Sequence, residues 1–320
     1  MTPLPIAQAP LLQGFVDAVS TARVLHAASE LGLIARLAGS PQGPAELASA
    51  CSTDLSMTGL LLDALAGLGV ARRDAQGRYE LAVDGLPLVA TVDQALAQLA
   101  GVVRSGQPPA QADTPEGAAD LYPDLVPSLS TLFAPAARHA ARLLAGSGVN
   151  VLDVGAGAAP WSIALARYSP DVHVTVLDLP AVIPSTHRAI DAVGLGHRFD
   201  YLPADMFTCT PPPAAYDVVL LANICHLFNE AQNSALLCRL QPAVKPDGLL
   251  AIIDVLALPD QPPPVSTSLY ALALRLRTSN GAVHPLTAYE TWTGNAGFAA
   301  VHVEPLSTTP PLHLLVCRRH

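Results

Sequence analysis

The sequence predicts an α/β protein: a largely parallel sheet wound with helices, preceded by a mostly α-helical region. Three observations predict it. The stretch from Val149 to Pro180, VNVLDVGAGAAPWSIALARYSPDVHVTVLDLP, reads as strand, glycine turn, helix, strand and acid. Apolar runs and helical patterns then alternate as far as Val255, and two last strands follow too close together for a helical crossover. Before all this, three short helical patterns lead into a turn and a strand, which is winged-helix order.

In chain order, residues 11–38 carry Leu11, Leu12, Phe15, Val16, Val19, Val24, Leu25, Leu31 and Ile34 at mostly helical spacing. Two helices are expected there, ending near Gly39. Pro44 to Ala50 is a short helix and Ser56 to Gly69 another. Ser52, Thr53 or Ser56 is available to cap the latter, with Leu61, Leu65 and Leu68 as its inner face. Ala75 to Gly77 is a turn, and Arg78 to Leu81 a small wing strand.

Winged-helix order raises DNA binding, and charge argues against it. Residues 1–105 hold six Arg and no Lys against nine Asp plus Glu, and the candidate recognition helix carries Asp63 with no basic residue before Arg72. Attraction to phosphates is missing. A helical scaffold or dimerisation surface is the better reading.

Residues 105–117, SGQPPAQADTPEG, have linker composition. Helical patterning resumes from Leu121 to Leu144, with Pro127 and Pro135 expected to divide it into more than one helix. This segment is placed to lay apolar side chains over a pocket. The division expected is 1–105, 106–145 and 146–320.

In the third part, Val149 to Val154 is a β-branched, apolar run suited to a buried strand. Gly155 and Gly157, spaced by one residue, allow a tight turn and a close backbone approach to a ligand. Pro160 suits the first turn of the helix that follows. Asp178 ends the second strand about twenty residues beyond the glycines, where such units hold a ribose diol. The ligand is therefore a nucleoside; a Gly-x-Gly alone does not separate a dinucleotide from S-adenosylmethionine (SAM). Pro180 to Val193 is a helix, Phe199 to Pro203 a third strand, and Tyr216 to Ala222 a fourth of buried parallel type. Glu230 to Leu240 is a helix, Lys245 to Gly248 a turn, and Leu249 to Val255 the fifth strand. Pro259 to Pro264 breaks the chain. Helices at Ser266–Arg277 and Leu286–Asn295 precede strands at Gly297–Val303 and Leu312–Cys317, the last one antiparallel and expected at the sheet edge.

Composition narrows the function. The 320 residues suffice for two moderate domains with substantial cores. At 51% hydrophobic and 13% charged the chain is apolar, yet no uncharged run approaches the roughly 18 residues that cross a bilayer. MTPLPIAQAP lacks the basic-then-apolar pattern of a signal peptide. The five cysteines, Cys51, Cys209, Cys225, Cys238 and Cys317, show neither paired nor metal spacing. A cytoplasmic location is expected, and a net charge of −9 speaks against a nucleic-acid partner.

VLDVGAG, VTVLDLP, ADMF, LLANICHLFNE, KPDGLLAIID and NAGF, in this order over residues 151–298, resemble the motifs of the two-domain SAM-dependent O-methyltransferases, a family with plant phenolic and bacterial antibiotic-tailoring members. The resemblance implies a Rossmann-like seven-stranded sheet with an antiparallel final strand, behind a winged-helix-like helical domain that forms a homodimer. It implies a small-molecule acceptor and SAM as cofactor, with neither nucleic acid nor membrane as partner. Gly155 and Gly157 would approach the methionine part of SAM, Asp178 the ribose, and Leu179 the adenine. Asp205 would accept from the adenine amino group between Met206 and Phe207, and Asn223 would lie near the sulfonium. His226 matches the general base, at the carboxyl edge where such sheets bind ligands. Asp254 matches an acid that orients it. A second acid falls near Val283-His284, where none stands, so His284 itself is a candidate for the pocket. Leu227 follows His226 where an Asp is common, and no metal is expected.

The competing readings are transfer to carbon, nitrogen or sulfur, a SAM-binding relative without methyl transfer, and an NAD-dependent oxidoreductase. Against the last stand Ala159-Pro160 in place of a third glycine and the closing strand pair. The apolar patterns at Leu121–Leu144 and Ser266–Arg277 suit an aromatic or polyketide-like acceptor.

Overall fold

A computed structural model of the chain describes residues 9–146, 150–258 and 263–320. The first eight residues, Val149 at the head of the expected first strand, and most of the expected break at Pro259–Pro264 lie outside them. The chain folds as two units that divide between Gln94 and Ala95.

The first unit holds α1 (Ala9–Glu30), α2 (Leu33–Leu37), α3 (Pro44–Cys51), α4 (Leu55–Gly67), β1 (Ala71–Arg73) and β2 (Tyr79–Leu81). Its core gathers Ala28, Leu33, Leu37, Leu47, Leu62, Leu65 and Tyr79. Two expectations for α4 are corrected. Its cap is Asp54, whose carboxylate accepts from the Met57 N–H at 2.8 Å, while the neighbouring Thr53 hydroxyl is engaged with Thr58. Its inner face is Thr58, Leu62 and Leu65, one position round from the expected set; Leu68 caps the helix and is exposed. β1 and β2 pair antiparallel as the wing, and the buried Tyr79 ring donates its hydroxyl to Asp63. On α1, Leu11, Leu12, Phe15, Val16 and Val19 are all more than half exposed.

α5 (Leu86–Ala97) runs across the division. In the second unit α6 (Leu99–Ser105) is followed by α7 (Pro115–Leu143), one 29-residue helix. The expected break at Pro127 and Pro135 does not occur. Pro127 has no N–H to give the Pro123 carbonyl one turn back, and the Ser185 hydroxyl donates to that carbonyl instead, at 3.0 Å. Val126, Phe133, Ala136, Ala137 and Ala140 are buried along the helix, and this burial outweighs the prolines' preference. Near its start, the carboxylate of the buried Asp113 accepts from the backbone N–H groups of Ser279 and Asn280, tying the proline-rich stretch to that loop.

The sheet is built from β3 (Asn150–Val154), β4 (His173–Asp178), β5 (Phe199–Pro203), β6 (Tyr216–Ala222), β7 (Val244–Val255), β8 (Phe298–Pro305) and β9 (Leu312–Arg319). α8 (Pro160–Tyr168), α9 (Ile183–Asp191), α10 (Glu230–Leu240), α11 (Val265–Arg275) and α12 (Leu286–Asn295) connect them. Strand order is β5-β4-β3-β6-β7-β9-β8; the first five run parallel, and β9 is antiparallel to both neighbours. The antiparallel final strand thus lies inside the sheet, not at its edge as expected, because the hairpin folds β9 back against β7. The expected turn at Lys245–Gly248 is a bulge at the start of β7, opposite the register shift between Tyr216 and Val218. Both faces of the sheet are covered by apolar clusters, one with α7, α8 and α9, the other with α10 and α12.

Candidate active site

Chain direction across the sheet reverses between β3 and β6, and the loops leaving their carboxyl ends open a crevice there. A cavity of about 240 Å³ fills it. Its wall includes seven of the residues expected to bind a nucleoside, Gly155, Gly157, Asp178, Leu179, Asp205, Met206 and Phe207, and also Asn223.

Local sequence explains how each arrives. Gly155 and Gly157 take φ of +67° and +58°, the left-handed region that favours glycine, and a Cβ on Gly155 would meet Ile224 Cδ1 at 2.3 Å. The Gly155 N–H donates to the Leu177 carbonyl at 2.7 Å, and the Gly157 N–H to Asp178 Oδ2 at 2.8 Å. The Leu179 N–H completes the set on Asp178 Oδ1 at 2.7 Å. Burial pushes the Asp178 carboxyl up to about 6, against the pull of those two N–H groups. Asp205 takes the Phe207 N–H on Oδ1 at 2.9 Å, which folds the loop so that Met206 and Phe207 line the cavity. Asn223 adopts φ +59°, tolerable for Asn, and its N–H donates to Ile253 at 2.7 Å. Its side-chain oxygen is buried without a hydrogen-bond partner among the described residues.

Beyond Asn223 a 3-10 turn, Cys225–Leu227, carries His226, and Asn233 of α10 clamps that turn by donating to the Cys225 and Phe228 carbonyls. His226 is 2% exposed. Its Nδ1 lies 2.5 Å from Asp254 Oδ1, and its backbone N–H reaches Asp254 Oδ2 at 3.0 Å. A buried carboxylate accepts, so Nδ1 carries the proton and Nε2 keeps a lone pair. The Tyr270 hydroxyl of α11 lies 3.3 Å from Nε2 and 3.4 Å from Nδ1, so it sits over the imidazole face. His226 stands behind the cavity wall, one residue from Leu227 and three from Asn223, which both line it.

His284 is held elsewhere. Its Nε2 donates to the Phe228 carbonyl at 2.9 Å, and its ring packs edge-on against Trp292. Burial holds its imidazole below the usual histidine range. It does not itself line the cavity; it braces Phe228, which does. Among the described residues, no group of three His, Cys, Asp or Glu side chains is placed to hold a metal ion.

Several residues of the site escape sequence reasoning. Asp153 on β3 is buried, takes the Ser162 hydroxyl at 2.5 Å, and is pushed up to about 7 by burial. Its signal was an acid inside an apolar strand. Tyr122, from the segment expected to cover a pocket, and Trp161 line the cavity, and Tyr270, from the apolar pattern at Ser266–Arg277, and Tyr289 surround the His226–Asp254 pair. Their helices give no pattern that singles them out.

A parallel sheet with a glycine turn, a strand-end acid and an imidazole–carboxylate pair at one edge defines a nucleoside-binding α/β fold. Residues 114–299 match the model of the O-methyltransferase domain, and residues 13–83 that of the O-methyltransferase dimerisation domain; the chain belongs to this family. It is 33% identical over 174 residues to the 3-hydroxy-5-methyl-1-naphthoate 3-O-methyltransferase of Streptomyces sahachiroi, covering 54% of this chain and 50% of that one. It is 30% identical over 163 residues to the L-tyrosine C(3)-methyltransferase of Streptomyces lavendulae, covering 50% and 44%. The chain thus matches about half the length of these two relatives. Human N-acetylserotonin methyltransferase in complex with SAM has the same fold, with a TM-score of 0.78, 22% identity, and coverage of 100% of this chain and 99% of that one.

Proposed function

We propose that this chain is a SAM-dependent O-methyltransferase acting on a hydroxyl of a small hydrophobic, aromatic or polyketide-like metabolite, with His226 as general base. The observation that carries the reading is the His226–Asp254 pair at the same sheet edge as the glycine turn and Asp178.

The cavity suits the cofactor. Asp178 would accept from ribose hydroxyls; burial raises its carboxyl, and further donors would favour its ionised form. Asp205 would accept from the adenine amino group, with Leu179, Met206 and Phe207 against the ring. The unpartnered Asn223 oxygen would accept beside the sulfonium. Gly155 and Gly157 keep side chains out of the turn. When bound, SAM supplies a methyl group on a positively charged sulfur. The protein's own task is then to align the acceptor and remove its proton. His226 Nε2, left unprotonated because Nδ1 donates to Asp254, takes that proton, and Asp254 stabilises the imidazolium that forms. Tyr270 covers this imidazole, so the acceptor enters by displacing that side chain or passing beside it. His284 holds the turn through the Phe228 carbonyl, with no part in proton transfer.

Residues 1–105 serve as the dimerisation region, 106–145 as pocket-lining helices and 146–320 as the cofactor domain. A homodimer would cover the exposed apolar row of α1. Among the described residues no single helix is long and apolar enough to cross a membrane, and all five cysteines are free, which supports a cytoplasmic location. A second reading, transfer to a ring carbon beside a phenol, is favoured by the tyrosine-methylating relative; the same imidazole would deprotonate the phenol. The test is His226→Ala with a hydroxynaphthoate probe: SAM uptake should persist while turnover is lost, and unimpaired turnover would remove the base from the mechanism. Product NMR separates an O-methyl from a C-methyl group.

A further inference from the structure

Asp254 is completely buried, and four donors converge on its carboxylate. Oδ1 takes the His226 Nδ1–H at 2.5 Å and the Val255 N–H at 2.9 Å. Oδ2 takes the His226 backbone N–H at 3.0 Å and the Tyr289 hydroxyl at 3.2 Å. Two of the four are backbone groups, fixed by the strand and the turn. One is the imidazole itself. The fourth, from α12, is the only side-chain donor on Asp254 besides His226 among the described residues. Tyr289 is itself completely buried, with its ring set against Trp292 at 5.0 Å and against His284 at 6.2 Å. The hydroxyl therefore has one fixed direction, toward Asp254.

We infer that Tyr289 is a positioning residue for the His226 imidazole, acting through the Asp254 carboxylate. The inference rests on the proposed role of His226 for its consequence in turnover, and on geometry alone for the hydrogen-bond chain. A carboxylate with all its lone-pair sites filled has no spare direction in which to turn, so Oδ1 stays aimed at Nδ1 and the imidazole keeps Nε2 unprotonated. Each donor also draws charge from the carboxylate and favours its ionised form. Removal of the Tyr289 hydroxyl leaves Asp254 with more charge to offer the imidazole and with one donor fewer to keep it ionised. Both effects favour a proton on the pair. The His226–Asp254 pair should then protonate at higher pH, and the acid limb of turnover, which requires a neutral imidazole, should move the same way.

The other titratable groups facing the pair are Tyr270 over the imidazole from α11, Cys225 beside it on the turn, and His284 against the Tyr289 ring, with Arg277 near Tyr270 and Glu230 near His284. None of them donates to Asp254, and Tyr289→Phe leaves all of them in place.

The experiment is a nitrogen-15 histidine titration of the full chain, without ligand, with the His226 signals assigned by their loss in His226→Gln. In Tyr289→Phe the midpoint should rise by about half a pH unit or more, a threefold or greater gain in proton affinity. With a hydroxynaphthoate probe, the acid limb of kcat should rise in step while the KM for SAM changes less than about twofold. A lower melting temperature with an unchanged His226 midpoint would show Tyr289 to be only a packing residue and would overturn the inference. Should that variant not fold, the parent chain decides. The Tyr289 hydroxyl proton should be slow to exchange, with a shift that follows the His226 titration; a shift that ignores it would overturn the inference. Turnover that survives in His226→Ala sinks the base, whereas the midpoint in Tyr289→Phe decides the hydrogen-bond chain by itself.

Discussion

On the β3–β4 side of the sheet, Asp178 receives two backbone N–H groups and borders the cavity; on the β6–β7 side, Asp254 receives four donors and meets no open space. Both are buried acids at the same carboxyl edge. Asp178 still has lone pairs to offer and is pushed up to about 6, so a ligand with hydroxyl donors would relieve it. Asp254 is spent on its neighbours and orients one imidazole. In the proposed reading, spare acceptor capacity marks the binding half of the site, and full satisfaction the half that would prepare a side chain for proton transfer.

The contrast breaks first at His226. His226→Ala should cost roughly 10²–10⁴ in turnover and leave SAM affinity within about twofold, as calorimetry beside kinetics would show. Asp254→Ala comes next. It strands four donors in a buried place and should lower stability by about 3–5 kcal/mol, read from denaturant unfolding, together with turnover. On the other half, Asp178→Asn should weaken SAM uptake about tenfold or more and spare turnover at saturating SAM. The parent's affinity should fall as pH drops below about 6, because a proton then competes for the carboxylate that accepts from the ligand. A flat affinity between pH 5 and 8 would remove Asp178 from the ribose site.

The smallest effect expected lies behind the glycine turn. Asp153 is pushed up to about 7 by burial, so the folded chain holds that proton more tightly than the unfolded chain does. The stability it contributes is present at low pH and is lost as pH rises from about 4 through about 7. Asp153→Asn should therefore raise the melting temperature relative to the parent more at pH 8 than at pH 5. An equal difference at both would mean Asp153 is ionised in the fold.

How much of this was legible in the sequence follows from the range of the forces involved. The glycine turn, the strand-end acids and the loop after β6 are set by neighbours in the chain, and VLDVGAG, VTVLDLP, ADMF and LLANICHLFNE place them at one edge. The partner of His226 was legible only as a resemblance, because Asp254 lies 28 residues away and reaches it through strand pairing. Tyr289 was not legible at all: it is 35 residues from Asp254, on a helix whose pattern shows only an apolar face. The continuity of α7 was misread for the same reason, since the donor that serves the Pro123 carbonyl, Ser185, is 62 residues away. The bond from His284 to a backbone carbonyl 56 residues away is one that no spacing rule reveals.

The most direct test is titration calorimetry of SAM and of S-adenosylhomocysteine into the parent chain, Asp178→Asn and His226→Ala. Uptake of both by the parent, kept in His226→Ala and weakened about tenfold or more in Asp178→Asn, is the result expected. Absence of uptake by the folded parent, or a loss confined to His226→Ala, would contradict the division of the site into a binding half and a proton-transfer half.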